Sequence, residues 1–268
     1  MGDVWSGPDW RIECGDCLEL LKALPSGSVD AVVTDPPYSS GGMMRGDRMA
    51  TTRKKYQRTD VIDEHPDFTG DNRDQRAFAY WVALWLCECR RIVKPSGMLC
   101  QFTDWRQLPT TTDSIQAGGW VWRGIVPWDK VQARPTANRF RAQCEYMVWG
   151  TNGPHDCTPD DHAVYGAGCF RHVTEDTSER VHSTQKPVDL MAEVIDVATT
   201  KGDTILDPFM GSATTGVACL QTGRKFIGFE LDRKYCEIGA RRLADVAPLF
   251  RSRVERNQGA ELFAREEG

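Results

Sequence analysis

Asp203-Thr204-Ile205-Leu206-Asp207-Pro208-Phe209-Met210-Gly211-Ser212-Ala213-Thr214-Thr215 reads as a short apolar strand (203–206), a turn of small residues and the opening of a helix expected over 212–222. A second apolar strand, expected over 225–230, contains Phe226-Ile227-Gly228-Phe229-Glu230 and ends in an acid. Doubly wound α/β folds hold an adenosine-containing cofactor with this arrangement. The small residues let a ligand approach the backbone, and the acid accepts from ribose hydroxyls. The turn is not G-x-G-x-x-G, and the chain has no G-x-x-x-x-G-K-[ST], so a nicotinamide dinucleotide or a nucleoside triphosphate fits poorly.

Upstream, Val29-Asp30-Ala31-Val32-Val33-Thr34 is another buried strand pattern, rich in β-branched residues, and it runs into Asp35-Pro36-Pro37-Tyr38. The two prolines fix the backbone and remove two amide donors. The Asp35 carboxylate and the Pro36 carbonyl remain as a rigid pair of acceptors beside an aromatic ring. An exocyclic amine on a planar base offers two N–H donors and a face to stack on. Acceptors set for a nitrogen moving from planar towards tetrahedral stabilise the transition state of methyl transfer more than the ground state. Inside a duplex such an amine is out of reach, so extrusion of the base is implied.

In this order the motifs resemble the β-class of S-adenosylmethionine-dependent DNA amino-methyltransferases, over about Ile12 to Leu243. Gly15-Asp16-Cys17-Leu18-Glu19, Arg91-Ile92-Val93-Lys94-Pro95-Ser96-Gly97-Met98-Leu99, Trp128-Asp129-Lys130 and His182-Ser183-Thr184-Gln185-Lys186-Pro187 resemble further blocks of that family. The resemblance implies a Rossmann-like α/β fold: a seven-stranded, mostly parallel sheet with helices on both faces, circularly permuted so that the catalytic half precedes the cofactor half. It implies Asp35, Pro36 and Tyr38 as catalytic residues. It implies S-adenosylmethionine held by Asp16 and Cys17 at the adenine, Glu230 at the ribose, and Asp207, Phe209, Gly211, Ser212 and Thr214 at the methionine end. Lys186 would pair with the methionine carboxylate, and Asp35 would border the cofactor. Ala213 stands where the family often has Gly; it is expected to avoid a strongly positive φ and to be small enough for close approach. Adenine-N6 members usually carry Asp at the first motif position and cytosine-N4 members Ser, so Asp35 favours a flipped-out adenine. A cytosine-N4 enzyme and an inactive DNA-binding relative are the alternatives. Homodimerisation is implied by resemblance only.

The 268 residues fit one domain with insertions, and no apolar stretch reaches the length of a membrane span. Ten Cys without a signal pattern at the N-terminus suggest reduced thiols and a cytoplasmic protein. Net charge is −5, yet the basic residues cluster: Arg45, Arg48, Arg53, Lys54, Lys55 and Arg58 in one segment, and Arg123, Lys130, Arg134, Arg139 and Arg141 in another. A basic face on an acidic body suits double-stranded DNA. The polar stretch 39–75 is expected to contact DNA and 151–182 to form a short target-recognition region. His155, Cys157, His162, Cys169 and His172 fall together, but their spacing fits no standard metal site. Cys14 and Cys17 lack a second pair, so no metal is expected. Helices are further expected over 17–24, 75–93, 105–117, 187–199 and 232–244, and strands over 11–16, 98–103, 120–128 and 143–150. The stripe Phe78, Trp81, Val82, Trp85, Leu86 and Cys89 should pack in the core.

Overall fold

The apolar runs form strands β1 (Val4–Gly7), β2 (Trp10–Cys14), β3 (Val29–Thr34), β4 (Val93–Thr103), β5 (Val121–Asp129), β6 (Cys144–Thr151), β7 (Phe170–Arg171), β8 (Thr204–Asp207) and β9 (Lys225–Glu230). Helices α1 (Cys17–Ala23), α2 (Gln75–Ile92), α3 (Leu108–Ala117), α4 (Val188–Ala198), α5 (Thr214–Gln221) and α6 (233–247) lie between and after them. The computed structural model describes residues 2–38, 73–133, 135, 137–155, 158, 163–173 and 186–247. The segment 39–72, with its six basic residues, lies outside them, as does most of the span 156–185.

All strands join one nine-stranded sheet of order β1-β2-β9-β8-β3-β4-β6-β5-β7. Strands β2, β9, β8, β3 and β4 pair in parallel, while β6 runs against both β4 and β5. The seven strands from β2 to β5 are the expected sheet. Two more extend it: β1, antiparallel on β2, and β7, parallel on β5. Neither is legible in the sequence, because β1 is short and β7, at two residues, has no periodicity to read.

Strand order reverses between β3 and β8. From β3 the chain passes through α2 to β4 on one side; from β8 it passes through α5 to β9 on the other. Doubly wound sheets bind ligands in the crevice at such a switch point, beyond the carboxyl ends of the strands.

Alternate residues of the buried strands face opposite layers. Val33, Ile205 and Phe226 pack with Leu190, Val217, Cys236 and Leu243 of α4, α5 and α6. Val32, Leu206 and Phe229 pack with Leu21, Val82, Trp85 and Ile115 of α1, α2 and α3. The expected α2 stripe is therefore core, except that Trp81 is only half-buried. Burying side chains such as Trp85 and Leu86 contributes roughly 1.5–3 kcal/mol each. Asp74 caps α2 by accepting from the Arg76 and Ala77 amides. Arg91, in its last turn, donates to the Leu21 and Leu24 carbonyls and so closes the end of α1.

Three elements differ from the sequence reading by three residues or more at one end, and others by one or two. Strand β4 begins at Val93 rather than 98, because Lys94-Pro95-Ser96-Gly97 forms a bulge inside the strand rather than a turn before it. The register jumps from Val29–Val93 to Ala31–Met98, and Ser96 takes φ +67. Asn152 holds the bulge, its side chain donating to the Val93 carbonyl at 2.8 Å. Helix α3 starts at Leu108 rather than 105, because Asp104 accepts from the Arg106 and Gln107 amides and delays the first turn. Helix α6 runs from 233 to 247 rather than 232 to 244.

Candidate active site

The ends of β3 and β8 are tied together by one buried carboxylate. Asp207, 2% exposed, accepts from Thr34 Oγ1 at 2.7 Å, Thr215 Oγ1 at 2.6 Å and the Phe209 amide at 3.0 Å. Burial pushes its pKa up to about 6, against the pull of the Thr215 and Thr34 hydroxyls. The resemblance sets Asp207 beside a cofactor; its bonds make it the anchor that fixes the loop 207–213 to the strand carrying Asp35.

That loop turns through two left-handed residues, Gly211 (φ +50) and Ala213 (φ +64, ψ 38). Ala213 thus departs from expectation: the turn requires the positive φ, and an L-residue there costs about 1–2 kcal/mol. Phe209 packs edge-on against α2, its ring centroid 5.3 Å from that of Trp81 and 5.2 Å from that of Trp85. The Gly211 amide donates to Glu230 Oε2 at 3.1 Å, and a Cβ at Gly211 would meet nothing within 4 Å. The backbone here is open to a ligand. Burial raises the Glu230 pKa, opposed by the Asp232 and Gly211 amides. Arg242 of α6, absent from the sequence reading, donates to the Ser212 carbonyl at 2.5 Å and lies 3.5 Å from Thr214 Oγ1. No local pattern marks it, since only the fold brings α6 under the loop.

The Gly15 amide donates to the Glu230 carbonyl at 2.9 Å, which sets Asp16 and Cys17 beside the acid-ended strand. Asp16 caps α1 through the Leu18 amide, and Cys17 is buried beneath it. Burial, with Asp16 nearby, pushes the Cys17 thiol up to about 12, so it stays protonated. Asp16, Gly211 and Glu230 thus gather at one end of the crevice, over the buried Cys17.

At the other end lies a chain of charges. Lys186, 6% exposed, donates to Asp35 Oδ2 at 2.5 Å and to the Tyr38 hydroxyl at 3.1 Å, and pairs with Glu145 Oε2 at 3.1 Å. The Tyr38 hydroxyl donates to Asp35 Oδ1. Lys130 donates to Glu145 Oε1 at 3.1 Å. The rings of Phe102, Tyr38 and Trp128 surround the Lys186 ammonium at 5.4, 5.5 and 5.8 Å from their centroids. Burial raises the Asp35 pKa, and Lys186 counters it. For Lys186, burial favours the neutral amine, but Asp35 and Glu145 outweigh it and hold the pKa above its ordinary value. Burial alone would raise Glu145; Lys186 and Lys130 instead hold it below the usual carboxylate range. Burial and the Asp35 charge push the Tyr38 phenol well up. Glu145 also escaped the sequence reading, although an acid inside the apolar strand 143–150 was its signal.

Asp35, Tyr38 and Lys186 therefore meet at one end of the crevice, Asp16, Gly211 and Glu230 gather at the other, and Asp207 lies between. Of the expected DNA contacts, Arg45, Arg48, Arg53, Lys54, Lys55, Arg58 and Arg134 lie outside the described residues. Lys130 joins the charge chain, and Arg139 is exposed on the connection between β5 and β6. No group able to hold a metal occurs among the described residues; Cys157 and His162 lie outside them.

A sheet of this order, with β6 reversed and two acidic turns at the switch point, is the fold of the S-adenosylmethionine-dependent methyltransferases. The chain belongs to the DNA methylase family N6_N4_Mtase, which matches residues 29–167 and 158–241. It is similar to the type II methyltransferase M.HinfI of Haemophilus influenzae, at 27% identity over 87% of this chain and 68% of that one. The M1.HpyAVI–SAM complex has a similar fold (TM-score 0.63, 23% identity, 87% of this chain and 98% of that one). So does the cytosine-N4-specific PvuII DNA methyltransferase (TM-score 0.65, 17% identity, 91% and 93%). Among the described residues no helix is long and apolar enough to cross a membrane.

Proposed function

We infer that this chain methylates the N6 amine of an adenine extruded from duplex DNA, with S-adenosylmethionine as donor. The observation that carries the reading is the direct link between the two half-sites. Asp35 follows Thr34, whose hydroxyl bonds the anchor of the 207–213 loop at 2.7 Å. The open backbone at Gly211, the acid at Glu230 and the capped turn at Asp16 suit an adenosine-bearing cofactor, which, when bound, supplies a methyl group already activated on a sulfonium. Asp35 and the Pro36 carbonyl would accept from the target amine, and Tyr38 would stack on the base. Both Asp35 oxygens are engaged, by Tyr38 and Lys186. Each oxygen keeps a further lone pair, so the amine can be accepted with both contacts in place. Lys186 has a second anion, Glu145, beside it, and the methionine carboxylate of the resemblance would be a third. No base strong enough to make an amide anion is needed, so positioning governs the rate. The aspartate at position 35 favours adenine over cytosine. The homodimer implied by resemblance belongs to the same reading, since a second copy would widen the DNA contact.

The test is single-molecule sequencing of DNA from a methylation-free host expressing the chain or its Asp35→Ala variant. N6-methyladenine at one short motif, absent with the variant, is expected. N4-methylcytosine would overturn the base assignment, and undiminished methylation by the variant would overturn the mechanism.

A further inference from the structure

The connection between β5 and β6 carries a feature that the methyl-transfer chemistry does not use. Phe140 is completely exposed, at 104% of its reference area, between the exposed Arg139 and Arg141. A single exposed apolar side chain is common on protein surfaces; this one is set apart by the arginines on both sides of it. A turn at 137–138, with Asn138 at φ +56, stands immediately before the three residues. The connection is rooted in the active site. It leaves the sheet at Asp129, on the edge where β3 and β4 also end. Lys130 at its base bonds Glu145 at 3.1 Å, and Glu145 lies 3.1 Å from Lys186. On that same edge Trp105, 56% exposed, follows β4 with the Arg106 guanidinium 5.0 Å from its ring centroid. The edge of the sheet at which Asp35 lies therefore also carries exposed aromatic and basic side chains.

We propose that Phe140 is the wedge that enters the base stack when the target nucleotide leaves it, with Arg139 and Arg141 on the flanking phosphates. The proposal rests on the reading of duplex DNA as substrate. An extruded nucleotide leaves a gap one base thick. An aromatic ring with no polar atom fills it and stacks on the neighbouring bases, whichever they are. The two guanidinium groups match the backbone charge on either side and hold the ring in register. The contact thus favours extrusion at the target position without reading its sequence.

The experiment compares wild type, Phe140→Ala and Phe140→Trp on two duplexes carrying the motif that sequencing identifies. In one the target base is paired; in the other it faces an abasic site and is already unpaired. Single-turnover methylation is measured on both, with 2-aminopurine fluorescence at the target position of the paired duplex. The alanine variant should lose about tenfold or more in rate and most of the fluorescence rise on the paired duplex. It should come within about threefold of wild type on the unpaired one, where extrusion costs little. The tryptophan variant should retain activity on both. Equal loss on the two duplexes would mean a plain surface contact, and no loss would mean no role; either overturns the wedge alone. A wild type that methylates neither duplex would overturn the functional reading and the wedge with it. Unchanged thermal melting of the variants excludes a folding defect.

Discussion

Asp207 illustrates how one buried side chain can tie the two halves of a site together. Its carboxyl has an ordinary pKa of 3.8 and, by burial, about 6 in the fold. The folded chain thus holds this proton more tightly than the unfolded one. Stability from this group is greatest below about pH 4, falls as pH rises to about 6, and stays low above that. The difference across the window is on the order of 3 kcal/mol. Asp207→Asn cannot ionise, and it keeps an oxygen for Thr34 and the Phe209 amide. Its melting temperature relative to wild type should therefore rise between pH 4 and pH 7. A difference independent of pH would mean that the carboxylate is not desolvated. The sequence named Asp207 but not this function, because the partners Thr34 and Thr215 approach it only in the fold. Asp35 and Tyr38 were legible because the prolines constrain them locally. Glu145 and Arg242 were not, since each acts on a partner distant in sequence.

At the scale of elements, legibility followed the length of the periodic pattern. The stripe along α2 and the apolar runs of β3, β6 and β9 declared themselves. The bulge within β4 did not, because Pro95 and Gly97 read as a helix stop. The approach of α5 to β9 was equally hidden. Gly216 lies under α5, where a Cβ would come 2.7 Å from Phe226 Cδ1 and 3.1 Å from Leu243 Cδ2. That bare patch lets the helix sit close enough for its first turn to follow the 207–213 loop directly. Gly216→Ala adds helix propensity worth about 1 kcal/mol, but overpacking typically costs ~1–3 kcal/mol and pushes the helix from the sheet. We expect a melting temperature lower by a few degrees and a weaker calorimetric affinity for S-adenosylmethionine, since Ser212 and Thr214 move with the helix. Unchanged affinity together with lowered stability would show that the loop holds its shape without α5.

The whole molecule confronts a substrate of its own sign. The chain carries a net charge of −5, so at long range it repels a polyanion, and binding must rest on its local basic segments. Counterion release makes such binding salt-dependent, with a slope of log affinity against log salt near −0.9 for each phosphate neutralised. Arg139 and Arg141 stand exposed on the connection that begins at Lys130, while Arg123 donates to Thr151 Oγ1 at 3.0 Å and Lys130 pairs with Glu145. We expect Arg139 and Arg141 to supply this cluster's phosphate contacts, because they flank the proposed wedge. Replacing both with alanine should reduce the magnitude of the slope by about 1.8, two phosphates' worth. Loss of Phe140 alone should leave the slope unchanged, because its contact releases no ion. Fluorescence anisotropy on one duplex across a series of salt concentrations separates the two effects. An unchanged slope in the double variant would move the DNA contact to the other basic segment and leave the rim at Arg139 without a role in binding.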